Sequence, residues 1–258
     1  MSKRRELEEQ RVAQERKQWI TISAIIAGIA VVVIGGAVIL SNVTGTGSAT
    51  KSGIVMPPVK TAAIKLPANI QAGTRTWGPA DAPIKIVEYL DYQCPACGNF
   101  HKAFEQQIID AFAATGKVSY EARSIPFLDR GKTSESFDAA QGSYCAAEQS
   151  KFWEYHQTMF HNQPITGDEN IGNFSKTRIK EMFGTIAGGD AAKFGACLDG
   201  DQNKAKVQAD ADEATARPVQ QTPSFLVNGK LISGDNRIAT VDGWKKIFAE
   251  VAPDVKLP

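Results

Sequence analysis

Apolar residues dominate Ile84-Lys85-Ile86-Val87-Glu88-Tyr89-Leu90, a run that predicts a strand. Within it Glu88 shares a face with Ile86 and Leu90. The period then changes. From Pro95 to Ala114, Phe100, Phe104, Ile108 and Phe112 recur at helical spacing, with Pro95 suited to a first helical turn and Gly116 to the end. Lys117 to Arg123 alternates again as a second strand, so the three elements make a βαβ unit, parallel and right-handed. The stretch 133–217 reads as helices at Phe137–Glu148, Phe152–Phe160, Phe174–Ile186, Asp190–Leu198 and Gln202–Ala216. Ser224–Val227 and Lys230–Ile232 flank Asn228-Gly229, the strongest short-range hairpin signal. Asp242–Val251 closes as a helix with Trp244, Ile247 and Phe248 on one side. The expected fold is therefore α/β: a small mixed sheet with flanking helices, interrupted by a helical insertion at about 133–217.

The N-terminal pattern is of another kind. Trp19 to Leu40 carries no charge and, at about 1.5 Å per helical residue, spans roughly 33 Å, near the thickness of a bilayer core. A cleaved signal peptide would have a shorter apolar region and a small-residue cleavage site, and Ser41-Asn42-Val43-Thr44 offers none. A buried core helix would have a polar face. The run is read as an uncleaved signal-anchor, a single transmembrane helix at 19–40. Lys3, Arg4, Arg5, Arg11, Arg16 and Lys17 precede it and Lys51 is the first basic residue after it. The tail at 1–18 is thus expected in the cytoplasm and the C-terminal bulk outside, at a bacterial cytoplasmic membrane. Residues 41–75, rich in Gly, Ser, Thr and Ala with prolines, read as a linker, and 76–258 as the extracytoplasmic domain.

Charge excludes one class of partner. The chain has 29 Lys and Arg against 28 Asp and Glu, a net charge of +1, and the part beyond the tail has no basic run suited to nucleic acid. A domain outside the cytoplasm also sits where disulfides persist, which bears on all four cysteines.

Cys94-Pro95-Ala96-Cys97 follows the first strand and opens the first helix. A C-x-x-C in that setting reads as a thiol–disulfide redox centre. Unpaired N–H groups and partial positive charge at the helix start favour a thiolate on the first sulfur. Stabilising that thiolate stabilises the reduced pair and makes the disulfide an oxidant. Cys94 is the expected nucleophile and the more exposed sulfur; Cys97, one turn inside, is the resolving thiol. Half of a zinc site is the competing reading, but the sequence supplies no second C-x-x-C or His pair. The sulfur pair carries the electrons itself, so no cofactor and no metal is expected.

Further motifs occur in order: Gly78-Pro79-Ala80-Asp81-Ala82-Pro83, Phe152-Trp153-Glu154-Tyr155-His156, Ala196-Cys197-Leu198-Asp199, and Gln221-Thr222-Pro223-Ser224-Phe225-Leu226-Val227-Asn228-Gly229. With the cysteine motif they resemble thioredoxin-fold thiol–disulfide oxidoreductases of the DsbA type, in the membrane-anchored bacterial branch, over about Trp77 to Val251. The resemblance implies a thioredoxin sheet with a helical subdomain inserted over the active site. It also implies a cis peptide at Thr222–Pro223, facing the cysteines and touching substrate backbone. By itself, a proline before a strand fits a trans strand start as well. The family also carries a buried acid where Glu88 stands, associated with proton transfer to the inner cysteine. Relatives with histidine between the cysteines have an added positive group; Ala96 lacks it, so a weaker oxidant is expected.

His101, four residues after Cys97, reads as a solvent-facing histidine, and His156 and His161 as structural. Cys145 and Cys197 lie on helices of the insertion and are read as a structural disulfide worth about 4 kcal/mol by loop-closure entropy, with a second redox relay as the alternative. The activity expected is that of a protein disulfide oxidoreductase of the dithiol oxidase type. It would donate the Cys94–Cys97 disulfide to unfolded or reduced exported proteins through a mixed disulfide and be reoxidised by a quinone-linked membrane oxidoreductase. An isomerase or reductase and a non-enzymatic membrane-tethered holdase are the alternatives; residues 41–75 are too few for the dimerisation domain of bacterial isomerases.

Overall fold

Five strands form one sheet in the order β1-β3-β2-β4-β5: Thr76–Trp77, Val118–Ser124, Ile84–Leu90, Ser224–Val227 and Lys230–Ser233. The structure is a computed structural model and describes residues 56–129, 134–164 and 167–257. The expected tail at 1–18 and anchor at 19–40 lie outside the described residues, among which no helix is long and apolar enough to cross a membrane.

β2 and β3 run parallel, pairing Ile84 with Val118 through Leu90 with Ser124; the other pairings are antiparallel. The crossover between β2 and β3 is helical: α1 (Pro95–Phe100), a π-helical stretch (His101–Glu105) and α2 (Gln106–Phe112), ended by Gly116 in the left-handed region. The insertion is α3 (Glu135–Ala147), α4 (Phe152–His161), α5 (Lys176–Gly184), α6 (Ala191–Asp199) and α7 (Lys204–Ala216). After the β4–β5 hairpin, α8 (Val241–Val251) packs back with Trp244, Ile247 and Phe248 buried. At the hairpin tip Asn228 and Gly229 both have positive φ, as a type I′ turn requires.

Because β2 is central, both its faces are covered. Ile84, Ile86 and Leu90 join the main core, while Tyr89 packs with Leu226, Ile125 and Ala214 of α7 on the opposite face. Glu88, on the Ile86 side, is carried into the interior. Gly78 lets β1 lead closely past β3: a Cβ there would meet Val118 O at 2.0 Å. The uninterrupted helix expected over 95–114 is instead broken by the π turn, whose extra residue per turn re-aims the side chains of the helix.

Residues 56–75, the described part of the expected linker, lie against the insertion. Lys60 N donates to Asn162 Oδ1 (2.7 Å) and Asn162 Nδ2 returns a bond to Lys60 O (2.9 Å); Gln157 holds Lys65 by the same pair of bonds. Arg178 of α5 donates to Pro57 O at 2.8 Å. Composition marks such a segment as polar and irregular but carries no trace of the side-chain amides that dock it.

Candidate active site

The loop between β2 and α1 sets the sulfurs. Asp91 is fully buried; its carboxylate accepts from Gln93 N and Leu128 N, both at 2.8 Å, and its carbonyl from Cys94 N at 3.0 Å. Burial pushes the Asp91 carboxyl up to about 7 against the pull of these bonds. From the insertion, Gln163 Nε2 donates to Tyr92 O (2.9 Å) and Cys94 O (2.8 Å), while Gln93 bonds Ser136 and Asn170. Gly98 makes room for this clamp, since a Cβ there would lie 1.6 Å from Gln163 Oε1. No sequence pattern singles out Asp91 or Gln163; the glycine after Cys97 is the local sign of a close approach.

Cys94 occupies the N-cap of α1 with extended backbone, Pro95 following, and Cys97 sits one turn in. Both are free thiols; Cys94 is 7% exposed and Cys97 fully buried. The Cys97 thiol hydrogen-bonds the Cys94 sulfur and, with the N–H groups of Cys97 and Ala96, outweighs burial to hold the Cys94 thiol down at about 6. Burial pushes Cys97 well above the thiol range, with the Cys94 and Glu88 charges adding to it. The two sulfurs therefore differ as a nucleophile and an inner thiol should.

Beneath them runs a chain of buried polar groups. Tyr120 Oη donates to Glu88 Oε2 at 2.7 Å, and Glu88 Oε1 lies 3.0 Å from His101 Nε2. His101 Nδ1 is 2.8 Å from Glu105 Oε2; Glu105 Oε1 is 3.1 Å from His156 Nε2; Tyr92 Oη is 3.3 Å from His156 Nδ1. Burial disfavours a charged His101, but Glu105 and Glu88 on either side reverse that and raise it to about 10. Burial would raise Glu105, yet His101 and His156 hold it well below the usual carboxylate range.

One sequence expectation changes here. His101 is not solvent-facing but buried, because the π turn swings it and Glu105 inward. His156, expected to be structural, is tied to His101, Glu105 and Tyr92; its partners come from other elements, invisible to spacing within one helix. His161 stays at the exposed end of α4.

Thr222–Pro223 is a cis peptide, and Cys94 Sγ lies 3.3 Å from Thr222 O. Beside it a groove of about 530 Å³ is lined by Ala96, Phe100, Phe104, Thr222, Pro223 and Ile238. Cys145 and Cys197 are joined by a disulfide between α3 and α6, with Asn203 Nδ2 donating to both sulfurs. It lies on other elements than the Cys94–Cys97 pair.

A sequence model of the family described as Thioredoxin matches residues 71–246. A probable disulfide bond formation protein D of Bacillus anthracis is 31% identical over 159 residues, covering 61% of this chain and 71% of that one. Among solved structures, oxidised BdbD from Bacillus subtilis superposes with a TM-score of 0.59 at 25% identity, over 72% of this chain and 97% of that one. Reduced DsbA from Mycobacterium tuberculosis shares the fold at a TM-score of 0.55 and 22% identity, over 72% of this chain and 95% of that one. A cis-proline opposite two thiols of such unequal acidity, on a sheet that these relatives share, leaves one assignment: the chain belongs to the thioredoxin family and is a DsbA-like protein disulfide oxidoreductase.

Proposed function

We propose that the protein is a dithiol oxidase of exported polypeptides, held at the bacterial cytoplasmic membrane by residues 19–40 with its N-terminus in the cytoplasm. The observation that carries the reading is the depressed Cys94 thiol beside an inner thiol that resists ionisation. A client thiolate attacks Cys94 Sγ of the oxidised pair; the Cys94–Cys97 bond breaks, and Cys97 leaves and takes up a proton. A second client thiolate then attacks the client sulfur of the mixed disulfide and expels Cys94, a good leaving group at about 6. Two electrons have passed to the cysteine pair and the client holds a disulfide. The groove beside Thr222–Pro223 supports a role for those residues in holding an extended client chain next to Cys94.

Return of the pair to the disulfide needs a two-electron acceptor in the same membrane, a quinone-linked oxidoreductase. In that half-reaction Cys97 must give up its proton to attack the partner's mixed disulfide. Glu88, fully buried and acting on Cys97 through its charge, is the proposed acceptor. Equilibration with glutathione at pH 7 tests the direction. A potential above about −200 mV is expected of an oxidase, and one near −270 mV, as in thioredoxin, would assign a reductase instead.

A further inference from the structure

We infer that His101, Glu105 and His156 form a binding site for a divalent transition-metal ion of the zinc type, separate from the cysteine pair. The three residues come from the π turn and from α4, and all three are buried. Their ligand atoms converge: His101 Nδ1 to Glu105 Oε2 is 2.8 Å, His156 Nε2 to Glu105 Oε1 is 3.1 Å, and His156 Nε2 to His101 Nδ1 is 3.2 Å. Ligands about 2.0–2.1 Å from a tetrahedral zinc ion stand roughly 3.3 Å apart, so an ion seated about 1 Å off the plane of the two ring nitrogens and one Glu105 oxygen reaches these three donors after small shifts and leaves a fourth position open.

The supporting contacts are those a metal centre needs. Each ligating histidine has its other ring nitrogen engaged: His101 Nε2 on the Glu88 carboxylate at 3.0 Å and His156 Nδ1 on Tyr92 Oη at 3.3 Å. Such partners fix the ring orientation and raise ligand basicity. Two carboxylates, Glu88 and Glu105, are buried within this group, which favours a dication there. Access and a water for the open coordination position come from a cavity of about 260 Å³ lined by His101, Lys102, Glu105, Gln106, Gln157 and His161. Two imidazoles and one carboxylate suit zinc and its first-row neighbours better than calcium or magnesium.

When an ion binds, His101 Nδ1 and His156 Nε2 give up their protons to become donors of lone pairs. His101 then keeps its proton on Nε2, toward Glu88, and His156 carries one on Nδ1, toward Tyr92. The ion would join the active-site helix to the insertion.

The test uses the full chain in detergent with Cys94 and Cys97 oxidised, so that free thiols do not compete. Zn²⁺ is expected to be retained at one per chain after gel filtration, and Co²⁺ to show the intense visible absorption of a tetrahedral site. X-ray absorption of the zinc form should show imidazole and oxygen ligands without sulfur. Glu105→Gln and His156→Gln should weaken binding at least roughly 100-fold, and Tyr92→Phe, which removes only a supporting hydroxyl, roughly 10-fold. Lys230→Gln, which touches only the exposed Glu250 pair at the sheet edge, should leave it unchanged. Failure of the wild-type protein to retain either ion, sulfur ligation, or wild-type affinity in Glu105→Gln would overturn the assignment, whatever the redox activity proves to be.

Discussion

The pH dependence of the Cys94–Cys97 potential follows directly from the acidity of Cys94. A dithiol whose sulfurs both stay protonated takes up two protons with two electrons, and its potential falls by about 59 mV per pH unit. Once Cys94 is ionised in the reduced form only one proton is taken up and the slope halves to about 30 mV. With Cys94 at about 6 rather than the ordinary 9.0, the break belongs near pH 6. At pH 7 the stabilised thiolate is worth about 1.4 kcal/mol, or ~30 mV, a tenfold shift against glutathione. The same shift appears in stability. A depressed pKa stabilises the reduced fold fully above the unfolded value, near 9, and that stability is lost as pH falls through about 6. The advantage of the reduced over the oxidised protein should therefore shrink by about 1.4 kcal/mol between pH 7 and pH 5. Equilibration with glutathione from pH 5 to pH 9, with thiolate absorbance near 240 nm on the reduced protein, gives both slope and pKa. A slope that stays near 59 mV per unit beyond pH 8 would refute the reasoning. Cys97→Ala should raise the Cys94 pKa, because it removes the largest stabilising bond, whereas Cys97→Ser should retain part of the effect.

Three other outcomes are expected. Replacing Cys145 and Cys197 together by alanine frees a loop of 52 residues and should cost up to about 4 kcal/mol in denaturant unfolding, while leaving the Cys94–Cys97 potential unchanged. Asp210→Ala deprives the largely buried Arg75 side chain of its 2.5 Å partner and leaves it, among the described residues, Glu121 and the Tyr144 ring; a loss of about 3 kcal/mol should follow, seen as a lower midpoint in urea. Gly98→Ala places a methyl group into Gln163 and should destabilise by about 1–3 kcal/mol. Because Gln163 holds the Cys94 carbonyl, the same variant should also move the Cys94 thiolate titration, which an effect confined to stability would not do.

Local chemistry makes much of this legible in the chain alone. The β2–α1 junction, the cysteine motif and the Asn228-Gly229 turn are written in contiguous residues, and the sheet follows from where those segments lie. Glu88 could be placed on the inner face of its strand by period alone. What surrounds it could not. Helical spacing over 95–114 gives no sign of a π turn, so it puts His101 on the solvent side and offers no reason to single out Glu105. The bonds of Gln163, His156 and Asn162 cross 50 to 100 residues of chain, and no local pattern encodes such partners. Buried polar networks are the part of a fold that sequence period describes least, because they are satisfied between elements rather than along one.

Ala96 deprives this chain of the cation that histidine-bearing relatives place between the cysteines, yet Cys94 is still held at about 6. Its stabilisation comes instead from the Cys97 thiol and two backbone N–H groups, all fixed by the fold. These are short-range dipolar contacts to a sulfur only 7% exposed, not the field of a mobile side-chain charge. Salt screens separated exposed charges and leaves such contacts almost untouched. The thiolate titration should accordingly be insensitive to ionic strength from 0.01 to 1 M, while substitutions that tilt the start of α1 should move it. A strong salt dependence would mean that a distant charge, rather than the helix start and the neighbouring thiol, sets the acidity of Cys94.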